Sequence, residues 1–130
     1  MYSISDPSSL LEAEQFIQKI HLLKCENEQF DFGYQVPCVL LGNKRDLDDI
    51  DVQKKISNKH VAVRSLTRQQ GQELAAKYGI IHFAESSALL DDIKIDAAFG
   101  ELAMMICKQK VFQQKEKQEQ SRGKRNCITM

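Results

Sequence analysis

The segment Val36-Pro37-Cys38-Val39-Leu40-Leu41-Gly42-Asn43-Lys44-Arg45-Asp46 joins a short, unbroken apolar run to a polar, charged turn. An apolar run of this length, without alternation and ending at glycine, is what a strand buried on both faces requires. Such strands belong to parallel sheets. In open parallel sheets ligands bind beyond the carboxyl ends of the strands, so Asn43, Lys44 and Asp46 stand where a binding loop is expected.

Working outward, Ser5-Asp6-Pro7 has the form of a helix start, a capping side chain followed by a proline suited to the first turn. Leu10, Ala13, Ile17 and Ile20 then recur at helical spacing and are expected to face a core. Downstream, residues 48–65 are charged and without clear period, which predicts a long loop; Lys54, Lys55, Lys59 and Arg64 read as its solvated surface. Thr67 and Gln70 make a capping-box pattern for a helix through Leu74 and Ala75, with Gly79 placed to stop it. Ile80-Ile81-His82-Phe83-Ala84 predicts a second strand, and its end, Glu85-Ser86-Ser87-Ala88, is a second loop at the carboxyl edge. A last helix from about Ile93 is expected to turn Ile95, Ala98, Phe99, Leu102 and Ile106 inward, with Asp91 and Asp92 as its caps. With Tyr2-Ser3-Ile4 as a first strand, the order becomes βαβαβα, that of an open parallel α/β sheet. Residues 1–112 are expected to fold as one unit, and residues 113–130, rich in Gln, Lys, Glu and Arg, to form a flexible basic tail. No internal repeat is present.

Composition narrows the function. The 130 residues are 42% apolar and 28% charged, and 18 basic side chains balance 18 acidic ones, so no global field draws nucleic acid. No stretch approaches the ~18 apolar residues of a membrane span. The four cysteines, Cys25, Cys38, Cys107 and Cys127, are irregularly spaced and contain no C-x-x-C pair, against a zinc site or a disulfide framework. A reducing cytosol is the simplest setting. Cys25, Cys38 and Cys107 read as small buried hydrophobes and the Met104-Met105 pair as packing. His21, His60 and His82 lack metal-ligand spacing, and no metal site is expected.

The two strand-end loops carry specific chemistry. A carboxylate such as Asp46 can accept both N–H donors on one edge of guanine, which adenine does not present. In these places the chain resembles the Ras branch of the small GTPases, which holds guanine with Asn-Lys-x-Asp and Ser-Ala motifs. The resemblance implies a partial P-loop GTPase (Ras-like) α/β fold, a three-stranded mainly parallel sheet with flanking helices. It also implies that Asp46 binds the base edge, Asn43 braces loop and base, Lys44 lies along the ring, Ala88 donates its N–H to the guanine carbonyl, and Ser87 supports that turn. Leu89 stands where the family usually has lysine, keeping an apolar cover without the charge. GTP or GDP is the implied ligand, with Mg2+ in a complete domain, and effector or regulator proteins are the implied partners of a signalling switch.

Other family elements are absent from these residues. There is no Gly-x-x-x-x-Gly-Lys-Ser/Thr loop to cradle phosphates, the one Gly-Lys pair being Gly123-Lys124, and no aspartate stands three residues before any of the six glycines. The chain is therefore expected to correspond to the later strands and helices of the domain, binding nucleotide weakly and hydrolysing nothing by itself. At the other end, Cys127-Ile128-Thr129-Met130 fits the C-a-a-X pattern for a prenyl transferase, with methionine favouring farnesyl. Arg122, Lys124 and Arg125 would add attraction to an anionic membrane surface. The expected location is the cytoplasmic face of the plasma membrane or an endomembrane. The alternative function is a non-catalytic, lipid-anchored interaction module.

Overall fold

A computed structural model describes residues 1–25, 36–56, 62–90 and 93–126. Three strands, β1 (Tyr2–Ser3), β2 (Val39–Asn43) and β3 (His82–Glu85), form a sheet in the order β1-β2-β3 with both pairings parallel. In register, Leu40 stands beside Phe83 and Gly42 beside Glu85, which brings the two loops to one edge. Helix α1 (Pro7–Cys25) packs on β1, while α3 (Arg68–Lys77) and α4 (Ile93–Asn126) pack on β2 and β3. This is the expected α/β architecture.

The helix signals act as local chemistry demands. Asp6 caps α1, accepting from Ser8 N–H at 2.9 Å and Ser8 Oγ at 2.6 Å, and these bonds hold its carboxyl below the usual range. Thr67 and Gln70 make the reciprocal capping box. At the other end of α3, Gly79 takes φ 67°, Gly79 N–H donates to Ala76 and Ile80 N–H to Ala75, the pair of bonds that closes a helix through a left-handed residue. Ile80 is thereby spent on the helix cap, so β3 starts two residues later than expected and Ile81 is left exposed.

The main core joins Tyr2, Ile4, Ala13, Ile17, Leu40, Leu66, Leu74, Ala75 and Ile80. Leu41, the next residue on β2, is buried on the opposite face with Ala98 of α4, as strand alternation requires. Glu14 on α1 accepts from Lys77 Nζ at 2.6 Å and Tyr78 Oη at 2.8 Å, and His21 meets the Tyr78 ring edge-on, fastening α1 to the end of α3.

Several expectations are corrected. Within residues 48–65 there is a short helix, α2 (Ile50–Ile56), capped by the Asp49 carboxylate on Asp51 N–H at 3.0 Å; among its described side chains Ile50 is exposed and Val52 half-buried, so no apolar period marks it. Ile20, Phe99 and Ile106 point outward. A three-stranded sheet, with strands ~4.8 Å apart, covers a narrow stripe of a helix, so among the described residues of α4 Ala98 alone is buried while Ile95 and Leu102 are half-buried. Cys107 is exposed. Helix α4 also does not stop at Phe112, where a flexible tail is expected to begin, but continues to Asn126. Gln, Lys, Glu and Arg are good helix formers and satisfy their backbone without a partner. His60, Lys59, Asp91, Asp92 and Cys127 lie outside the described residues.

Candidate functional site: two clasped strand-end loops

After β2 the chain must reverse sharply. Lys44 takes the left-handed conformation, φ 73° and ψ 32°, and opens a turn of 3-10 helix over Arg45–Asp48, with Leu47 N–H donating to Lys44 O and Asp49 N–H to Asp46 O, both at 3.0 Å. A left-handed non-glycine residue costs about 1–2 kcal/mol, which surrounding bonds must offset. They are supplied from across the sheet. Ser86 N–H donates to Gly42 O at 2.8 Å and Arg45 N–H to Ser86 O at 3.0 Å, so the backbone of one loop is stitched to the other.

Side chains complete the clasp. Ser87 Oγ donates to Asp46 Oδ1 at 2.6 Å, with Ser87 fully buried and Asp46 7% exposed. The same hydroxyl accepts from Leu90 N–H at 3.2 Å, which fixes the turn after β3. Ala88 N–H donates to Asn43 Oδ1 at 3.1 Å. The expected residues Asn43, Lys44, Asp46, Ser87, Ala88 and Leu89 are thus gathered at one edge, with Lys44, Ala88 and Leu89 exposed around the buried pair. An ionised Asp46 has a second oxygen beyond the one that Ser87 uses, enough to accept the paired donors of a guanine edge. Ala88 N–H, the implied donor to the guanine carbonyl, is committed here to Asn43, so it must share or exchange that partner when a base arrives.

Two features escape sequence reasoning. Glu85 is buried at the end of β3, and Arg64 meets it with a two-pronged ion pair: Arg64 Nη1 lies 3.2 Å from Oε2 and Nη2 pairs with Oε1. Arg64 also donates to Asp48 at 2.5 Å and, through Nε, to Leu66 O at 2.7 Å. Hydrogen bonding to Glu85, and then to Asp48, pushes the guanidinium above even its ordinary high pKa. Arg64 is therefore a buttress of the loops and not solvated surface. The signal available was Glu85 itself, a charge at the end of a buried strand that needs a cation. The second feature is Tyr2, whose hydroxyl is buried without a partner among the described residues and whose pKa is pushed up to about 12, chiefly by burial.

A cleft of about 220 Å³ lies at the opposite, amino-terminal edge of the strands, where Pro37, Cys38, Tyr78, Ile80 and Met105 meet. It shares no residue with the clasped loops. Burial raises the Cys38 thiol pKa there.

The Ras family model matches residues 1–108. The chain belongs to the Ras family. It is similar to the Ras-like protein rasU of Dictyostelium discoideum, 29% identical over 85% of this chain and 41% of that protein. The Ras-related protein rapC of the same organism is 30% identical over 86% of this chain and 34% of that protein. This Ras-family chain thus spans well under half the length of either relative. Small GTPases of this family bind GTP or GDP with Mg2+. These 130 residues contain no phosphate-cradling loop, so no group for phosphate or magnesium is assigned in this chain.

Proposed function

We propose that the clasped loops form the guanine-reading part of a membrane-associated, nucleotide-dependent signalling switch. The buried Ser87–Asp46 bond carries this reading, because it aims a desolvated carboxylate from one strand end using the other. Asp46 takes the two donors of the base edge, Ala88 N–H the carbonyl, and Asn43 holds the two loops together. The Lys44 stem and exposed Leu89 cover the faces of the ring. Phosphate contacts, magnesium and GTP hydrolysis are assigned to a complete domain and to groups other than these residues.

Equilibrium binding of fluorescent GDP, with and without magnesium, to the full chain and to Asp46→Ala tests the site. Hydrogen bonds to a charged group contribute about 1.5–3 kcal/mol, so the substitution is expected to weaken binding roughly ten- to a hundredfold, without magnesium dependence. Equal binding by both proteins would refute the base site. A chain that binds no GDP at all would favour a second reading, a lipid-anchored interaction module, which the absence of a phosphate loop supports.

Membrane association is proposed through prenylation of Cys127 by a prenyl transferase, assisted by Arg122, Lys124 and Arg125. Arg122 and Lys124 are exposed near the end of α4. One lipid gives only reversible binding, and basic groups add about 1 kcal/mol each near an anionic leaflet. Farnesyl transfer to the chain should vanish in Cys127→Ser, and the modified chain should float with anionic vesicles better than with neutral ones. Transfer to another residue, or flotation blind to vesicle charge, would reject this anchor.

A further inference from the structure

The cleft at the amino-terminal edge of the sheet is not needed by the clasped loops, since ligands of open parallel sheets bind beyond the opposite, carboxyl ends of the strands. Its wall is apolar: Pro37 and Cys38 lead into β2, Ile80 and Ile81 lead into β3, and Met105 belongs to α4. The Tyr78 ring completes the wall and is fixed in place. Its hydroxyl donates to Glu14 at 2.8 Å and accepts from Gln18 Nε2 at 2.8 Å, while His21 meets the ring edge-on. A concave, apolar, pre-formed site with few polar groups is the form that small-molecule sites take.

The charged groups at this cleft have one sign. Lys108 and His21 line it, both exposed, and among the described residues no Asp or Glu does. Lys108 makes no ion pair with a described residue, so its ammonium is open to an incoming anion. The acid behind Tyr78, Glu14, is already bound by Lys77 and by Tyr78 itself. Size limits the occupant further. An apolar cavity of ~150 Å³ holds benzene, so one of about 220 Å³ holds roughly eight or nine carbons.

We propose that this cleft binds a medium-chain fatty acid, its chain of about eight carbons lying against Cys38, Ile80, Ile81 and Met105 and its carboxylate meeting Lys108. The chemistry selects this class over its neighbours. A neutral alcohol of equal length leaves Lys108 without a partner, an amine meets a like charge, and a chain twice as long leaves half its carbons in water. About ten non-hydrogen atoms, at the ordinary yield per atom of small ligands, bind with a dissociation constant near the millimolar scale. The inference stands apart from nucleotide binding, since the cleft shares no residue with the clasp.

Octanoate, titrated into the isotopically labelled full chain and followed by amide chemical shifts, is the probe, and 1-octanol is its neutral control. Octanoate is expected to shift the Cys38, Ile81 and Met105 amides along one saturable curve and to protect Cys38 from alkylation by iodoacetamide. Lys108→Gln, a change at an exposed position, should keep the circular dichroism spectrum and weaken octanoate about two- to fivefold, the scale of a solvated ion pair, while leaving octanol unchanged. Met105→Trp fills the cleft and should abolish binding of both. No shift at the cleft, shifts spread over the exposed apolar residues of α1 and α4, octanoate binding indifferent to Lys108→Gln, a loss shared by octanol, or full binding by Met105→Trp would each overturn the proposal.

Discussion

Gly71→Ala is expected to destabilise the chain by about 2–3 kcal/mol, although alanine is worth about 1 kcal/mol more than glycine in a helix. The added methyl would lie 2.2 Å from Tyr2 Oη and 2.6 Å from Phe83 Cε2. Tyr2 cannot retreat, because on its other side a Cβ at Gly42 would already lie 2.7 Å from the same oxygen. The tyrosine ring is wedged between β2 and α3, and α3 must lift off the sheet to admit a methyl group, uncovering Leu74 and Ala75. Urea unfolding measures the loss as a lower midpoint at similar slope. Stabilisation by Gly71→Ala would show that α3 is free to slide and that the wedge does not exist.

Tyr2→Phe gives the matching experiment. It removes the crowding oxygen and an unpaired buried hydroxyl, so alone it is expected to be neutral or stabilising by up to about 1 kcal/mol, and it should rescue part of the Gly71→Ala loss. The pH dependence has a definite sign. The folded pKa near 12 lies above the ordinary tyrosine value of about 10, so the tyrosine's contribution is full below pH 10 and is lost as pH rises from 10 through 12. Two pKa units correspond to roughly 2–3 kcal/mol. Over that window the wild type should weaken relative to Tyr2→Phe; parallel stability curves would show that Tyr2 is solvated.

Arg64→Ala carries the other large effect, an expected loss of about 3 kcal/mol together with weakened nucleotide binding. Removing one member of a buried ion pair costs about 3–5 kcal/mol, and the lower end applies because the Arg64 side chain is 22% exposed while that of Glu85 is 4% exposed. Arg64→Lys should recover little, since an ammonium cannot match a two-pronged carboxylate and also reach Asp48 and Leu66 O. Glu85 is followed directly by Ser86, whose backbone holds Gly42 and Arg45, and by Ser87, which aims Asp46. A displaced Glu85 therefore loosens the clasp. Full stability in Arg64→Ala, or lost stability with intact GDP binding, would separate the buttress from the loops.

Most of the fold could be read from local signals. The apolar run before Gly42, the cap at Asp6, the Thr67–Gln70 box and the stop at Gly79 each depend on residues within a few positions of one another, and each is found, although the strand runs Val39–Asn43 and so begins three residues into the apolar run and passes through Gly42. The misplacements have two causes. Ile80 looks like strand and is buried, but its N–H closes a helix, whereas Phe99 and Ile106 look like core but face solvent, because apolar character says that a residue prefers burial without saying whether the body is wide enough to provide it. Arg64 was unreadable for the related reason that charge in a polar segment looks the same whether it meets water or Glu85.

By itself, the sequence determined the order of the three strands and of the helices α1, α3 and α4 that pack on them, the parallel sheet and the two loops at its carboxyl edge, since hydrophobic period, caps and glycine stops are properties of contiguous residues. Tertiary structure alone decided which side chains meet. Ser87 with Asp46, Arg64 with Glu85, and Tyr2 between Gly42 and Gly71 are contacts between segments far apart in the chain, and they exist only once parallel register has brought those segments to common depths in the sheet.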